Sequence, residues 1–553
     1  MKSESTTKTA IDDKEVVEVT SKKVLVADKL SEKGLEILSE GLDVEYDPNI
    51  NPDKLIETIN QYDALLVRSR CKVPKEVIEA GKNLKVIGRA GVGVDNIDLK
   101  AASEAGILVL NSPEGNTASA AEHTVALMLS LARNVAPADA SMKAGNWERS
   151  KYTGVELFNK TLGVIGLGKI GSRVAQTAIS MGMRVIVYDP FISEDRARQL
   201  NLESVPLEEI WSRADFITIH TPKTPQTTNL ISGTVLSRVK EGVRIVNASR
   251  GGVIDEEALA RAIKEGRVAG AALDVFHQEP LEDSPLLELG DKVVLTPHLG
   301  ASTQEAQLNV AVDLAEQIRE YLLDGVARSP VNLPFMKPHI LKDLGKYLGL
   351  AEAMGAIAGE LSEGVVQELE VISYGGLAAK ESQALVVAAL KGMFMGKVEN
   401  VSYVNAQIVA KNHGINVRES KFEKAGAHHD ELVVIVSSNK GTSSVKGTIL
   451  AHDEPLITKI KDHPINLNPA KYMLFTTHTD QPGMVAAVAS ILGKENINIS
   501  TMGVGRLGVR EDAIMVMTLD DPLSQDIVNL IAEQKGVYSA HFVSLEDMTA
   551  SLI

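Results

Sequence analysis

A single cysteine in 553 residues excludes an intramolecular disulfide. Cys71 on its own fits a reducing compartment, which we read as the cytoplasm. No apolar run approaches the roughly 20 residues that a membrane-spanning helix needs, so no membrane association is expected. Basic residues are in deficit, and the formal net charge is −16. A general nucleic-acid binder needs a basic footprint, which excludes that class. Residues 1–21 carry acids and have no apolar core, so they read as a disordered tail, not a signal or transit peptide. No pattern points to a metal.

What is present is ordinary soluble composition, 44% hydrophobic and 24% charged, on a chain long enough for three or four domains. One stretch stands out. Val164 and Ile165 run into Gly166-Leu167-Gly168-Lys169-Ile170-Gly171, and a second apolar strand then ends in Asp189. Gly166 permits a tight turn, Gly168 lets backbone N–H groups approach a pyrophosphate, and Gly171 lets a helix pack on its strand. The helix N-terminus favours phosphate charge. Asp189 can accept hydrogen bonds from a ribose diol and would repel a 2′-phosphate, so NAD is expected over NADP. Strand, glycine turn, helix, strand and acid occur here in register.

Around this unit the pattern is a βαβ alternation. Short apolar strands are expected at 22–27, 64–67, 85–88 and 107–110, with helices near 31–40 and 117–133. Six strands follow, at 162–166, 185–188, 216–219, 244–247, 270–273 and 293–295, as a dinucleotide fold requires. A long helix near 303–324 and a linker at 329–334 close this half. Residues 335–470 mix strands and helices without a catalytic pattern. The last 80 residues or so read βαββαβ, the ferredoxin-like order.

Three segments just past expected strands carry candidate chemistry, where open α/β sheets bind ligands. In Asn247–Gly252, Arg250 offers a planar fork for a carboxylate. The flanking Gly251 and Gly252 imply a close approach to the backbone; an isolated arginine would more often be a surface ion pair. In Asp274–Pro280, Asp274 closes a strand and is able to bond a nicotinamide carboxamide, while Glu279 precedes a proline that favours extended backbone. In Pro297–Ser302, His298 sits on a strand-to-helix turn, and with Glu279 it makes a base and its orienter. Arg68, Arg70 and Arg89 follow two further strands. More arginines than one carboxylate needs imply a second anionic group on the substrate, and a phosphate fits; the plainer alternative is a solvated loop.

These segments resemble the D-isomer-specific 2-hydroxyacid dehydrogenase family. The resemblance implies Arg250, Glu279 and His298 as the catalytic set and Asp274 against nicotinamide. It also places cofactor contacts at Val92, Lys169, Ile170, Thr221, Ala248, Gly300 and Ala301, beside Gly166, Gly168, Gly171 and Asp189. Asn116, in the crossing at 111–117, would touch substrate together with Arg68 and Arg89. The C-terminal segments, His478–Met484 with Asn496–Ser500, resemble an ACT domain, and 335–470 fits the intervening domain of the family's long form. The implied activity is oxidation of 3-phospho-D-glycerate by NAD, with 3-phosphoglycerate as substrate and entry to serine synthesis as the setting. L-serine is an expected effector at His478, Asp480 and Asn498, although relatives carry Asn where this chain has Asp480. Arg149 and Lys151 are expected near a dimer interface, and a homodimer or homotetramer is implied.

The fold expected is α/β: a Rossmann-type doubly wound NAD-binding domain (116–306) inserted in a flavodoxin-like substrate domain (22–115 and 307–334). An α+β intervening domain (335–470) and a ferredoxin-like ACT domain (471–553) follow. The rival readings are a sister dehydrogenase acting on glyoxylate, hydroxypyruvate or 2-hydroxyglutarate, and a non-catalytic NAD sensor.

Overall fold

The alternation of strands and helices folds as two parallel sheets, followed by two largely antiparallel ones. The computed structural model describes residues 21–333, 338–424, 426 and 428–545. Of the expected tail, residues 1–20 lie outside these, as does Pro334 of the expected linker.

The first sheet comprises β1 (Lys23–Val26), β2 (Asp43–Tyr46), β3 (Ala64–Val67), β4 (Val86–Arg89) and β5 (Leu108–Asn111), in the order β2-β1-β3-β4-β5. Every pairing is parallel. This is the flavodoxin-like order. β3 is buried along its whole length, as a strand covered on both faces must be. β2 is a mostly exposed edge strand, and its Asp-Val-Glu-Tyr sequence gives no apolar run to read.

The second sheet holds β6 (Thr161–Ile165), β7 (Arg184–Tyr188), β8 (Glu203–Ser204), β9 (Phe216–Ile219), β10 (Val243–Asn247), β11 (Val268–Leu273) and β12 (Val293–Leu295). Its order is β12-β11-β10-β9-β6-β7-β8, the doubly wound arrangement extended by one strand. The strand missing from the sequence reading is β8, two polar residues paired only to Ile186 and Val187.

Two helices carry the chain between these lobes, Thr117–Arg133 outward and Gln304–Asp324 back. The returning helix starts at Thr303, whose side chain accepts from Ala306 N–H, and ends at Gly325 in left-handed backbone. Its Val310, Leu314 and Ile318 are buried against the first sheet. A Cβ on Gly88 would stand 3.0 Å from Ile318 and 3.1 Å from Leu314, so this helix fixes a glycine in β4. At the crossing, Ser112 Oγ donates to Asp313 at 2.5 Å and Gln317 Nε2 donates to the Asn111 carbonyl at 3.1 Å.

The segment expected as a linker is built into the substrate lobe. Pro330 bridges Leu110, and Val331 N–H donates to the Val109 carbonyl at 2.8 Å. Asn332 accepts from Val109 N–H at 2.9 Å and donates to the Ile107 carbonyl at 2.9 Å. An asparagine amide has both donor and acceptor, so it substitutes for strand pairing where prolines interrupt it.

The third sheet comprises β13 (Val366–Gly375), β14 (Asn416–Phe422), β15 (Asp430–Ser438), β16 (Gly441–Ile449), β17 (Pro455–Ile460) and β18 (His463–Leu467), in the order β14-β13-β15-β16-β17-β18. Only β13 and β14 run parallel. Helices Pro338–Glu360 and Gln383–Phe394 pack together beside it. Between them Glu352, fully buried, takes the Lys391 ammonium and the Tyr403 hydroxyl. The last sheet, β19 (Tyr472–Thr479), β20 (Ile499–Arg506), β21 (Asp512–Leu519) and β22 (Val537–Ser544), has the order β20-β21-β19-β22 and is antiparallel throughout. With helices Met484–Lys494 and Gln525–Ala532 it is the ferredoxin-like βαββαβ fold. No helix among the described residues is long and apolar enough to cross a membrane.

Candidate active site

The glycine turn after β6 fits a dinucleotide on three counts. Gly166 has φ +90°, and a Cβ there would stand 2.5 Å from the His220 carbonyl oxygen; on Gly171 it would stand 2.0 Å from the Gly166 carbonyl oxygen. Both positions demand glycine for packing. At Gly168 a Cβ would meet nothing within 4 Å, so this glycine faces open space at the start of helix Lys169–Ser180. No side chain caps that helix, which leaves its first N–H groups for an anion. Thr221 Oγ1 and Asn116 Oδ1 are buried without a partner among the described residues, as groups awaiting a polar ligand would be.

Asp189 ends beside this turn. Its carboxylate accepts from Leu167 N–H at 2.7 Å and Phe191 N–H at 2.8 Å, so it braces the glycine loop. Val92 is held through its carbonyl by Asn111 Nδ2 at 2.6 Å. Ala248 follows β10, while Gly300 and Ala301 follow β12; with Ile170 on the helix they line the carboxyl edge of the second sheet.

Asp274 organises the catalytic turn. It is fully buried, and its carboxylate accepts from Thr296 Oγ1 at 2.6 Å, Leu299 N–H at 2.7 Å and Gly300 N–H at 2.8 Å. His123 Nε2 lies 3.1 Å away. Burial opposes its charge, yet these donors hold the carboxyl below the usual carboxylate range. The residue expected against the nicotinamide carboxamide is thus already committed to holding the 296–300 turn. That turn needs holding, because His298 has φ +54°, a left-handed conformation costly for a side-chain-bearing residue.

So positioned, His298 Nδ1 meets Glu279 Oε2 at 2.7 Å. Glu279 also accepts from Phe276 N–H at 3.0 Å, which aims the carboxylate at the ring. The Glu279 bond holds His298 above the ordinary histidine range despite burial. Burial pushes Glu279 up, but His298 and Phe276 outweigh it and leave the carboxyl low. The Nδ1–H donated to Glu279 leaves Nε2 as the basic nitrogen.

Three arginines from two lobes lie near one another, and of these Arg250 acts on His298. Arg250 follows β10, Arg89 ends β4 and Arg68 follows β3. Burial, then the neighbouring Arg250 and Arg68 charges, pull Arg89 down to about 10. Like charges that lower one another in this way suit an anion with more than one negative group. Arg250 Nε reaches Asp95 Oδ2 at 3.2 Å, and its Nη1 donates to the Ser249 carbonyl at 2.7 Å. Arg70 does not join them: its Nε is paired with Asp28 at 3.1 Å.

The close approach inferred at Gly251 and Gly252 comes, at Gly251, from neighbouring backbone. A Cβ on Gly251 would stand 1.7 Å from the Phe276 carbonyl oxygen, so the 248–252 and 274–277 loops press on each other. Asn247, 2% exposed, ties the first of these, donating to the Arg250 carbonyl at 2.9 Å and accepting from Ser249. Sequence reasoning missed Asn247, His123, Asp28 and Asp95. Only the asparagine left a signal, as the opening residue of the motif containing Arg250.

The effector candidates do not converge within one chain. Strand register sets His478 level with Arg506 and sets Ile499 level with Tyr472, so Asn498 lies at the other end of the sheet, about 20 Å away. Asp480 faces Arg506 at 3.4 Å and accepts from Arg510 N–H at 3.1 Å. Asn498 donates to Asp520 at 2.6 Å, and His478 is 2% exposed. Near the expected interface, Trp147 is 81% exposed and Lys151 pairs with Asp291 at 3.3 Å.

Comparison with known proteins finds matches along most of the chain. Residues 125–300 match the D-isomer specific 2-hydroxyacid dehydrogenase NAD binding domain, 343–461 the D-3-phosphoglycerate dehydrogenase intervening domain, and 472–535 the ACT domain. The chain is 48% identical over 528 residues to D-3-phosphoglycerate dehydrogenase of Synechocystis, covering 95% of each protein. To that of Archaeoglobus fulgidus it is 43% identical, covering 95% of this chain and 100% of the relative. Among solved structures, D-lactate dehydrogenase of Aquifex aeolicus, complexed with NAD and lactic acid, aligns with a TM-score of 0.50 at 27% identity. That match covers 56% of this chain and 98% of the other.

Proposed function

The chain belongs to the D-3-phosphoglycerate dehydrogenase family, and from that premise we propose how its residues divide the work. The reaction is NAD-dependent oxidation of 3-phospho-D-glycerate to 3-phosphohydroxypyruvate, the first step towards L-serine. The observation that carries the assignment is the His298–Glu279 pair at 2.7 Å, with Arg250 acting on His298 and Arg89 beside Arg250 and Arg68.

Arg250 binds the substrate carboxylate and polarises the C2 oxygen. Arg89 and Arg68, on the other lobe, hold the phosphate, so the substrate bridges the lobes by its two charged ends. His298 Nε2 takes the proton of the C2 hydroxyl, and Glu279 stabilises the imidazolium that forms. Gly168, Lys169 and Ile170 would hold the pyrophosphate of NAD and Asp189 its ribose, with Thr221, Ala248, Val92, Gly300, Ala301 and Asp274 as its further contacts. NAD held there would supply the acceptor for the hydride released from C2. Asn116, with its buried unpartnered oxygen, is suited to a substrate or cofactor hydroxyl.

The test is NADH formation from 3-phosphoglycerate and NAD at alkaline pH, run beside His298→Ala and Arg68→Ala. Loss of turnover in the first and a raised KM in the second are expected. Turnover of hydroxypyruvate or 2-oxoglutarate but not of the phosphorylated acid would overturn the substrate assignment.

The proposed domains are a substrate domain at 22–115 and 307–334, an NAD-binding domain at 116–306, an intervening domain at 335–470 and an ACT domain at 471–553. The exposed Val135, Met142, Trp147 and Phe158 support a homodimer through the nucleotide lobe, and the ACT domain supports pairing into a tetramer. Since His478 and Asn498 sit at opposite ends of one sheet, serine would have to bind between two ACT domains. A serine titration without heat or rate change would refute that. The lone Cys71, a free thiol, supports a reducing, cytoplasmic location.

A further inference from the structure

Two ion pairs span the cleft, each with its carboxylate on the substrate side and its cation on the nucleotide lobe. Asp95 of the loop after β4 meets Arg250 Nε at 3.2 Å. Glu114 of the 111–117 crossing meets the Lys169 ammonium of the glycine turn. Neither acid sits there by accident of a floppy chain. Asn96, next to Asp95, donates its amide to the Arg68 carbonyl at 2.7 Å and the Cys71 carbonyl at 2.6 Å, which pins the loop. A Cβ on Gly93 would stand 2.2 Å from Arg250 Nη2 and 2.7 Å from Asp95 Oδ2, so that glycine makes room for the guanidinium to lie over the loop. Glu114 follows Ser112, whose hydroxyl is bonded to Asp313 on the returning helix.

The two cations held this way are those the functional reading assigns to the ligands' anions. A substrate carboxylate on Arg250 and a pyrophosphate on Lys169 both need donors that a protein carboxylate already occupies. We infer that Asp95 and Glu114 are built-in competitors, so that ligand binding exchanges a carboxylate of the opposite side for a ligand anion at each cation. The inference rests on the functional reading of Arg250 and Lys169. It has a distinct physical consequence: exchanging one ion pair for another changes the number of ionic contacts little, so ligand affinity depends weakly on salt.

The experiment is calorimetric titration of the full-length protein with NAD at several salt concentrations, for wild type, Glu114→Gln and Glu114→Ala. Both Glu114 side chain and Lys169 are mostly exposed, so the pair is of the weak surface kind. Both variants are expected to bind NAD about 1.5- to 5-fold more tightly at low salt. Their affinity should also fall more steeply with salt than the wild type's, because a new ion pair forms without an old one being lost. Asp95→Asn is expected to lower the KM for 3-phosphoglycerate. Unchanged or weaker NAD binding in both Glu114 variants, or a raised KM in Asp95→Asn, would overturn the inference for that residue. Failure of the wild type to bind NAD would instead overturn the functional reading beneath it.

Discussion

Replacing Glu279 by glutamine separates two contributions to proton transfer. The isosteric amide oxygen can still accept from Nδ1–H, at the loss of the Phe276 N–H bond, so His298 keeps a partner but loses the charge that stabilises imidazolium. A hydrogen bond to a charged group contributes about 1.5–3 kcal/mol. The two side chains are 50% and 36% exposed, so solvent screening puts this pair at the lower end. About 1.5 kcal/mol is close to a tenfold loss in kcat/KM. The pH dependence gives the sign. Oxidation requires neutral His298, and the wild-type imidazole is held above the ordinary histidine range by Glu279, so the rate rises with pH through that elevated value. In Glu279→Gln the rising limb moves to lower pH while the plateau falls. His298→Gln, which removes the base, is expected to lose about 10²–10⁴-fold on the alkaline plateau and to lose the rising limb itself. The assay is NADH absorbance from 3-phosphoglycerate across a pH series. A limb that stays put, or moves to higher pH, would refute the coupling of Glu279 to His298.

The two glycines of the NAD turn should separate by thermal shift and NAD titration. Gly168→Ala is expected to keep its melting temperature and lose NAD affinity, whereas Gly171→Ala, with backbone 2.0 Å from the new Cβ, should destabilise the lobe. In the intervening domain, Lys391→Met leaves fully buried Glu352 without its cation and should cost about 3–5 kcal/mol in denaturant unfolding. The double variant with Glu352→Leu should recover much of that loss. Burial pulls His220 down to about 4, so the folded state prefers it neutral. Its contribution is complete above the ordinary histidine value near 6.5 and declines as pH falls from there to about 4. His220→Asn should flatten that part of the acid-unfolding curve.

What could be read in advance was whatever is local along the chain. The glycine turn, the Arg250 loop and the His298 turn are short segments following apolar strands, and all three lie at one sheet edge. The ferredoxin-like end was equally legible, because its strands are long and apolar. Short edges were not: Glu203–Ser204 and Asp43–Tyr46 carry no periodic signal. Nor were β14 and β16 to β18, where half-exposed polar residues alternate. Asp95 is 155 positions from Arg250 in the numbering, and only the packing of one lobe against another makes them neighbours. His123 likewise meets Asp274 because helix Thr117–Arg133 crosses the second sheet. Asp28, which binds Arg70 and the backbone of Arg68 and Cys71, is an acid at a strand end whose partners lie some 40 residues on.

The returning helix Gln304–Asp324 also bears on how the protein is made. It covers the face of the first sheet formed by Val24, Val26, Leu66 and Leu110, yet it is encoded after the whole nucleotide lobe. On the ribosome, β1 to β5 therefore emerge roughly two hundred residues before their cover, which is about ten to forty seconds at 5–20 residues per second. The nucleotide lobe is continuous in the chain and can close its own core meanwhile. During that interval the unfinished half presents a bare apolar sheet, which is the surface a nascent-chain chaperone would find.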